Sequence, residues 1–117
     1  MAAGVYDIMC EQGATFRKTF TWLDENEQPI NLTGCSARMQ ARSAHKSTST
    51  WLSLTSGPGG GITLGALTGT ITMVIAATTS AALPINKGVY DLEVVQANGE
   101  VTRLLQGSFT VSPEVTR

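Results

Sequence analysis

The second half of the chain alternates apolar and polar residues so regularly that it predicts a series of β-strands. The alternation covers residues 70–75, 89–95 and 101–111, and each run is long enough for one strand. Asn98 and Gly99 separate the last two runs. An Asn-Gly pair between alternating segments predicts a β-hairpin with a type I′ turn, in which both residues adopt positive φ.

The first half contains shorter alternating segments, and each of them predicts a further strand. Residues 14–23 form the longest segment, and Lys18 lies on its otherwise apolar face. A charge at that position fits a strand at the edge of a sheet, where it blocks unwanted pairing. The remaining predicted strands of this part of the chain cover residues 5–11, 35–42, 51–54 and 62–64.

Two interruptions of the alternation refine this picture. Residues 76–84 predict a single helical turn, N-capped by Thr78 and ended by Pro84, of the kind that crosses between the two sheets of a sandwich. Gly107 interrupts the last strand and predicts a β-bulge. With about eight short strands and one helical turn, the sequence predicts an all-β fold, an antiparallel β-sandwich of immunoglobulin-like architecture.

Composition narrows the classes of partner. The 117 residues predict one domain, residues 1–117. A charged content of 15% and a formal net charge of −1 argue against a nucleic-acid partner. No signal peptide and no membrane-length apolar run are recognised, so we expect synthesis in a cytosol and no membrane partner. Thr, Ser and Gly replace charges on the surface, either to pack against other protein or because threonine favours strands.

No catalytic, cofactor-binding or metal-binding group of residues emerges from the sequence. His45 is the only histidine, and no second ligand lies at metal-binding spacing from it. Asp91 and Glu93 point to the same side of one strand, which suits acid–base chemistry or calcium binding. Arg103 on the neighbouring strand makes a cross-strand ion pair the plainer explanation. We therefore expect no enzymatic activity and no cofactor.

The cysteines and the basic residues carry weaker expectations. Cys10 and Cys35 are expected to be reduced, with Cys35 as a small core residue, and a disulfide between them is the alternative. Few aromatic residues are available to interleave with basic ones, as single-strand binding requires. The residues that suggest a basic surface patch are Arg17, Arg38, Arg42 and Lys46.

Short phrases at strand and turn positions occur along nearly the whole chain. They are residues 11–16 (EQGATF), 29–34 (PINLTG), 37–40 (ARMQ), 61–64 (GITL), 69–72 (GTIT), 89–93 (VYDLE) and 111–117 (VSPEVTR). In these phrases the chain resembles a family of short virion structural proteins of tailed phages and prophages. Its pattern of polar turn, proline and Asn-Leu-Thr-Gly is also similar to the β-sandwich N-terminal domain of phage baseplate upper proteins. The phrases contain no active site.

The resemblance implies a structural component of the virion, made in the cytoplasm of the host bacterium. The expected function is an adaptor that mediates protein–protein contacts at the neck, tail or fibre attachment. The alternative is a capsid decoration or cement protein that stabilises the phage head. A small hydrolase or a sugar-binding module, with Trp51 as its only candidate platform, is a third hypothesis. The expected partners are other virion proteins and further copies of the chain.

The last residues are expected to form an extended assembly arm. Pro113 removes a hydrogen-bond donor and stiffens this segment, which suits docking on the sheet edge of a neighbouring subunit. A frayed terminus is the alternative. The arm comprises Ser112, Pro113, Glu114, Val115, Thr116 and Arg117.

Overall fold

The computed structural model describes residues 4–84 and 86–115, and these residues contain nine β-strands and one short helix. The alternating segments of the sequence become strands because alternation places one side of each segment in the core. The elements are β1 (Gly4–Val5), β2 (Ile8–Glu11), β3 (Phe16–Thr21), β4 (Ser36–Arg42), β5 (Leu52–Thr55), β6 (Ile62–Gly65), β7 (Thr70–Ile75), α1 (Ala77–Ala81), β8 (Lys87–Val95) and β9 (Val101–Ser112).

The strands form two sheets. The larger sheet has the order β1-β9-β8-β4-β5, and β2 also pairs with β9. The smaller sheet has the order β3-β7-β6. This distribution matches the immunoglobulin sandwich, with β4, β5, β8 and β9 in the positions of strands C, C′, F and G. The protein is therefore an all-β immunoglobulin-like sandwich, as its sequence predicts.

The predicted strand over residues 5–11 divides into β1 and β2, and both pair with β9 in parallel. The other strand pairs are antiparallel. The helix α1 follows β7 of the smaller sheet and precedes β8 of the larger one. The chain thus crosses between the sheets at the predicted place.

The inward-facing residues of the two sheets meet in one cluster of buried side chains. Phe109 and Leu92 from the larger sheet and Ile71 from the smaller sheet are fully buried. Burial of one such side chain contributes roughly 1.5–3 kcal/mol relative to its exposure to water. Among the described residues, the only buried polar residue in the core is Ser80 of α1.

The hairpin between β8 and β9 lies where the sequence predicts it, but the predicted turn type is wrong. Gly99 has a φ of 90°, whereas Asn98 has no positive φ. The Gly99 N–H donates to the Gln96 carbonyl at 2.8 Å, as in a type I turn followed by a left-handed glycine. The Asn98 side chain instead accepts the N–H of Glu100 at 2.9 Å. This local bond stabilises the right-handed backbone of Asn98.

The predicted helix cap is also wrong. The N-cap of α1 is Ala76, which makes no side-chain capping bond, so Thr78 lies inside the helix. The buried hydroxyl of Ser80 fixes this helix instead. It accepts the Gly13 N–H at 3.0 Å and donates to the Ala14 carbonyl at 2.7 Å. A tertiary contact with the turn before β3 therefore replaces the expected local cap.

The bulge in β9 is displaced from its predicted position. The register with β8 shifts between Leu92 and Glu93, which leaves Leu104 as the extra residue. Gly107 is paired regularly, but a Cβ atom there would lie 2.4 Å from the Tyr6 carbonyl oxygen. Glycine is required at this position because the segment between β1 and β2 approaches β9 closely.

Replacement of Gly99 by valine tests the hairpin. We expect Gly99→Val to lower the free energy of unfolding by about 1–2 kcal/mol, because a β-branched residue resists positive φ. Gly57→Val is the matched control, since Gly57 lies in a turn without positive φ and has only the Thr55 hydroxyl near its missing Cβ. Urea denaturation measures both variants. Equal losses of stability would contradict this account of the turn.

Candidate functional site

The described residues contain no group of three or more His, Cys, Asp or Glu side chains that could hold a metal ion. His45 is exposed in the loop after β4. It borders an open groove of about 440 Å³ on the outer face of the larger sheet. Glutamine, arginine and acidic side chains from β4, β8 and β9 line this groove, and they include Gln40, Arg42, Asp91, Glu93, Arg103 and Gln106.

The two carboxylates of this groove are engaged in ion pairs with arginines of the adjacent strands. Arg103 Nε lies 3.6 Å from Asp91 Oδ2, which confirms the predicted cross-strand pair. Glu93 is paired by Arg38 of β4, whose Nε lies 2.8 Å from Oε1. Because these pairs are largely exposed, they add little stability. Their charges offset one another, so neither carboxylate of the groove is left without a cationic partner.

The predicted basic patch is wrong, because the sandwich separates its members. Arg17 lies on the outer face of the smaller sheet, whereas Arg38 and Arg42 belong to the larger sheet. Arg38 is paired with Glu93. Arg42 donates at 2.8 Å to the Ser47 carbonyl and at 2.8 Å to the Gln40 side chain. The remaining member, Lys46, lies in the loop after β4.

Both cysteines are free, which confirms the expectation of reduced thiols. Cys10 on β2 is fully buried, and burial raises the pKa of its thiol. Its thiol is therefore protonated and shielded from reagents. Cys35 precedes β4, is half-buried and packs at the margin of the core. Cys35 is consequently the more accessible of the two thiols.

Two side-chain hydrogen bonds join the segment between β1 and β2 to β8 and β9. The buried Tyr90 hydroxyl donates to the Tyr6 carbonyl, and burial raises the pKa of Tyr90, which keeps this donor protonated. Asp7, which lies between β1 and β2, accepts the Ser108 N–H of β9 with its Oδ1 at 3.0 Å. The Asp7 side chain thus takes the place of a backbone acceptor, and this bond lowers the pKa of its carboxyl.

Hydrogen bonds hold the first half of the predicted arm, residues 112–114, against the domain. Ser112 is the last residue of β9, and its carbonyl accepts the Gln12 N–H at 2.9 Å. The Gln12 side chain accepts the Glu114 N–H at 3.3 Å. Its amide also donates to the Leu83 carbonyl at 3.1 Å. Gln12 therefore joins the end of β9 to the connection that follows α1, and we call these three hydrogen bonds the Gln12 clamp.

The exposed part of the arm begins beyond this clamp. The Glu114 carboxylate lies against Gly13, where a Cβ atom would overlap it. Val115 is 92% exposed, more than any other large apolar side chain among the described residues. Thr116 and Arg117 of the predicted arm lie outside the described residues.

The outer face of the smaller sheet is almost uncharged. Thr19 of β3, Thr72 of β7 and Thr63 of β6 form one row across all three strands. The hydroxyls of Thr19 and Thr72 lie 3.0 Å apart. Thr21 and Thr70 form a second row. Within these three strands, Arg17 is the only charged side chain on this face.

The two edges of the smaller sheet differ. Edge strand β3 carries Lys18 on its inner face, which confirms the expected placement of this charge at an edge. Its Nζ lies 5.2 Å from the centre of the Tyr6 ring and 6.0 Å from that of Phe20. These rings accommodate the ammonium group, and no ion pair joins Lys18 to an acidic residue in the described part of the chain. The opposite edge strand, β6, contains no charged residue.

Trp51, the proposed platform for a sugar, is half-buried. Its ring lies over Gly88 of β8, where a Cβ atom would come within 2.7 Å of it. The ring therefore packs on the larger sheet. Sequence reasoning missed the threonine rows and the Gln12 clamp, although the alternating threonines of β3 and β7 were visible in the sequence.

Comparison with known proteins defines the fold alone. No family model and no curated protein sequence matches the chain. Among solved structures, it is similar to the extracellular domain of the voltage-gated sodium channel beta4 subunit, with a TM-score of 0.52. The identity is 10%, and the match covers 98% of this chain and 97% of that chain. The fold is immunoglobulin-like.

The beta4 domain is described as a parallel homodimer that explains the role of that subunit in cell–cell adhesion. In the present chain, no helix among the described residues has the length and hydrophobicity needed to cross a membrane.

Removal of the inward-facing charge tests the role of Lys18. We expect Lys18→Val to self-associate at concentrations where the parent protein remains monodisperse, because the β3 edge then presents a continuous apolar face. Lys46→Val is the matched control, since it makes the same change in an exposed loop. Light scattering coupled to size exclusion measures both. Unchanged association of Lys18→Val would show that the lysine does not protect this edge.

The Asp7 carboxylate predicts a pH dependence of stability. A lowered pKa in the folded state means that ionised Asp7 stabilises the fold at pH values above its ordinary pKa of 3.8. This contribution disappears as the pH falls through the lowered folded-state value. Asp7→Asn keeps a side-chain acceptor for Ser108 but carries no charge. Thermal melting should place the variant below the parent protein at neutral pH, and the gap should close below pH 3.8.

Proposed function

We propose that this protein is a structural component of a tailed-phage particle. It acts as an adaptor that joins other virion proteins at the neck, tail or fibre attachment, and it works through surface contact without catalysis. The observation that carries the proposal is the threonine-rich outer face of the smaller sheet.

A face of this composition suits burial against another protein. Transfer of a charge from water costs far more than transfer of a hydroxyl, and buried ion pairs often fail to recover that cost. The strands of this face present five threonines and one arginine. Threonine hydroxyls also form hydrogen bonds across an interface, and their methyl groups contribute apolar area. Repeated contacts in a particle add to one another even when each is weak.

The phage context rests on the resemblance of the seven sequence phrases to short virion proteins. That resemblance supports residence in the virion, and it supports other virion proteins as partners. Association with further copies of the same chain is compatible with the parallel homodimer described for the similarly folded beta4 domain. The exposed Val115 after the Gln12 clamp supplies an additional contact away from the threonine-rich face.

A capsid decoration protein would use the same kind of face on the outside of the phage head. The number of copies in a particle separates the two functions. A decoration protein is present in proportion to the major capsid protein, whereas a neck or tail adaptor is present in proportion to tail components. Quantitative gel analysis of purified particles measures this ratio. Absence of the protein from purified particles would overturn both proposals.

A charge at the centre of the face tests the contact surface. We expect Thr72→Glu to reduce incorporation into particles several-fold, because assembly would then have to bury an unpaired carboxylate. Ser53→Glu is the matched control, since Ser53 is exposed on the outer face of β5 in the other sheet. Immunoblots of purified particles measure incorporation, and melting of the isolated variants verifies their folding. Equal incorporation of both variants would exclude this face.

A further inference from the structure

The edge of β3 carries a row of backbone groups that point away from the sheet. The Trp22 N–H donates to the Gly69 carbonyl at 2.8 Å, which fixes the alternation of the pair that β3 forms with β7. In antiparallel pairing, every second residue directs both backbone groups to its partner strand. The intervening residues, Arg17, Thr19 and Thr21, therefore direct their N–H and carbonyl groups to the opposite side. In the described part of the chain, β7 is the only strand that pairs with β3, so these groups are available to another strand.

The inner face of β3 is incompletely covered. Its inward-facing side chains, Phe16, Lys18 and Phe20, are half-buried. On the adjacent strand β7, the inward-facing Ile71 and Met73 are fully buried. A strand added beside β3 would extend the sheet over this margin and remove further apolar surface from water.

Strand β3 also carries one cation on each face. Arg17 lies on the outer face and Lys18 on the inner face. Neither side chain forms an ion pair with a described residue, whereas Arg38 and Arg103 of the larger sheet are both paired. The groups found near the Lys18 ammonium are the neutral rings of Tyr6 and Phe20. The charge of this edge therefore complements a strand that brings carboxylates.

We propose that the β3 edge, residues 16–21, receives an extended segment of a partner protein that carries two adjacent acidic residues. The segment adds to the sheet as an antiparallel strand. This inference rests on the proposed function, because it assigns one contact of the adaptor to this edge and states the chemistry of the partner.

The register of β3 explains why the two acidic residues are adjacent. The backbone of Lys18 points to β7, so an added antiparallel strand meets Lys18 in a non-hydrogen-bonded pair, where facing side chains are closest. Successive side chains of a strand alternate between the two faces of the sheet. One carboxylate thus meets Lys18 on the inner face, and its neighbour in the segment meets Arg17 on the outer face.

The inward-facing Lys18 makes this edge selective. It opposes a strand that brings an apolar or basic side chain to the same place, and it attracts one that brings a carboxylate. A second copy of this chain lacks the required strand, because its only adjacent acidic residues, Asp24 and Glu25, lie in the turn after β3. In that turn, Asp24 Oδ1 accepts the N–H groups of Asn26 at 2.8 Å and Gln28 at 2.9 Å. The partner is therefore a different protein.

Titration of the purified full chain with synthetic peptides, followed by NMR, tests this docking. The acidic probe is a peptide of strand length, about six residues, in which threonine and valine alternate around two adjacent glutamates. We expect it to shift the amide signals of Arg17, Thr19 and Thr21 and to slow their hydrogen exchange, because these N–H groups gain acceptors. The N–H groups of Lys18 and Phe20 already point to β7 and should change least.

Two control peptides separate strand addition from general charge attraction. The first carries two lysines in place of the glutamates. The second has the composition of the acidic probe, but its glutamates are two positions apart and therefore lie on one face. Neither control should reproduce the response at Arg17, Thr19 and Thr21.

Reversal of charge on β3 examines the two cations. Lys18→Glu should lose the response to the acidic probe and gain one to the lysine peptide, whereas Lys18→Arg should keep the original preference. Arg17→Glu changes an exposed side chain and should weaken the response to the acidic probe without disturbing the core. Lys46→Glu, in an exposed loop, is the matched control and should behave like the parent protein. Melting curves verify that each variant is folded.

The outcomes separate this inference from the proposed function. Equal responses to the acidic and lysine peptides, no response at the three outward-facing amides, or an unchanged response in both charge-reversed variants would overturn docking at this edge. Detection of the protein in purified particles would still support the structural function in that case. A selective response to the acidic probe together with absence from particles would support the edge contact and overturn the phage function.

Discussion

The structure depends on the pairing of β9 along both of its edges. The hairpin with β8 occupies one edge, and β1 and β2 occupy the other in parallel. Close approach of the first segment requires a glycine at position 107, and the Asp7 side chain replaces a backbone acceptor where β1 and β2 are interrupted. Because both edges are used, β9 joins the start and the end of the described chain within one sheet.

The pairing of β1 and β2 with β9 also determines which strand lies at the edge of the smaller sheet. Since β1 and β2 pair with β9, they do not cover β3, which becomes an edge strand. The charge of Lys18 on the inner face of β3 is the compensation, and the Tyr6 and Phe20 rings accommodate it. The other edge strand, β6, contains no charged residue, and a parallel bridge from Thr55 to Gly61 covers the start of that edge. The two edges of the smaller sheet are therefore protected in different ways.

The outer faces of the two sheets differ in their polar side chains. The outer face of the smaller sheet contains rows of threonine, and the larger sheet carries charges that are paired with one another. The side chains that these contacts join are therefore either neutral or paired with an opposite charge.

The sequence by itself determined the strand positions, the place of the β8–β9 hairpin, the crossing at α1 and the edge location of Lys18. These features follow from alternation and turn residues, which act over a few neighbouring positions. Tertiary structure alone decided the parallel pairing of the first strands, because the bond from Ser108 to Asp7 joins residues 101 positions apart. It also separated the basic residues onto two sheets. Such features depend on which strands become neighbours, and local alternation carries no information about that choice.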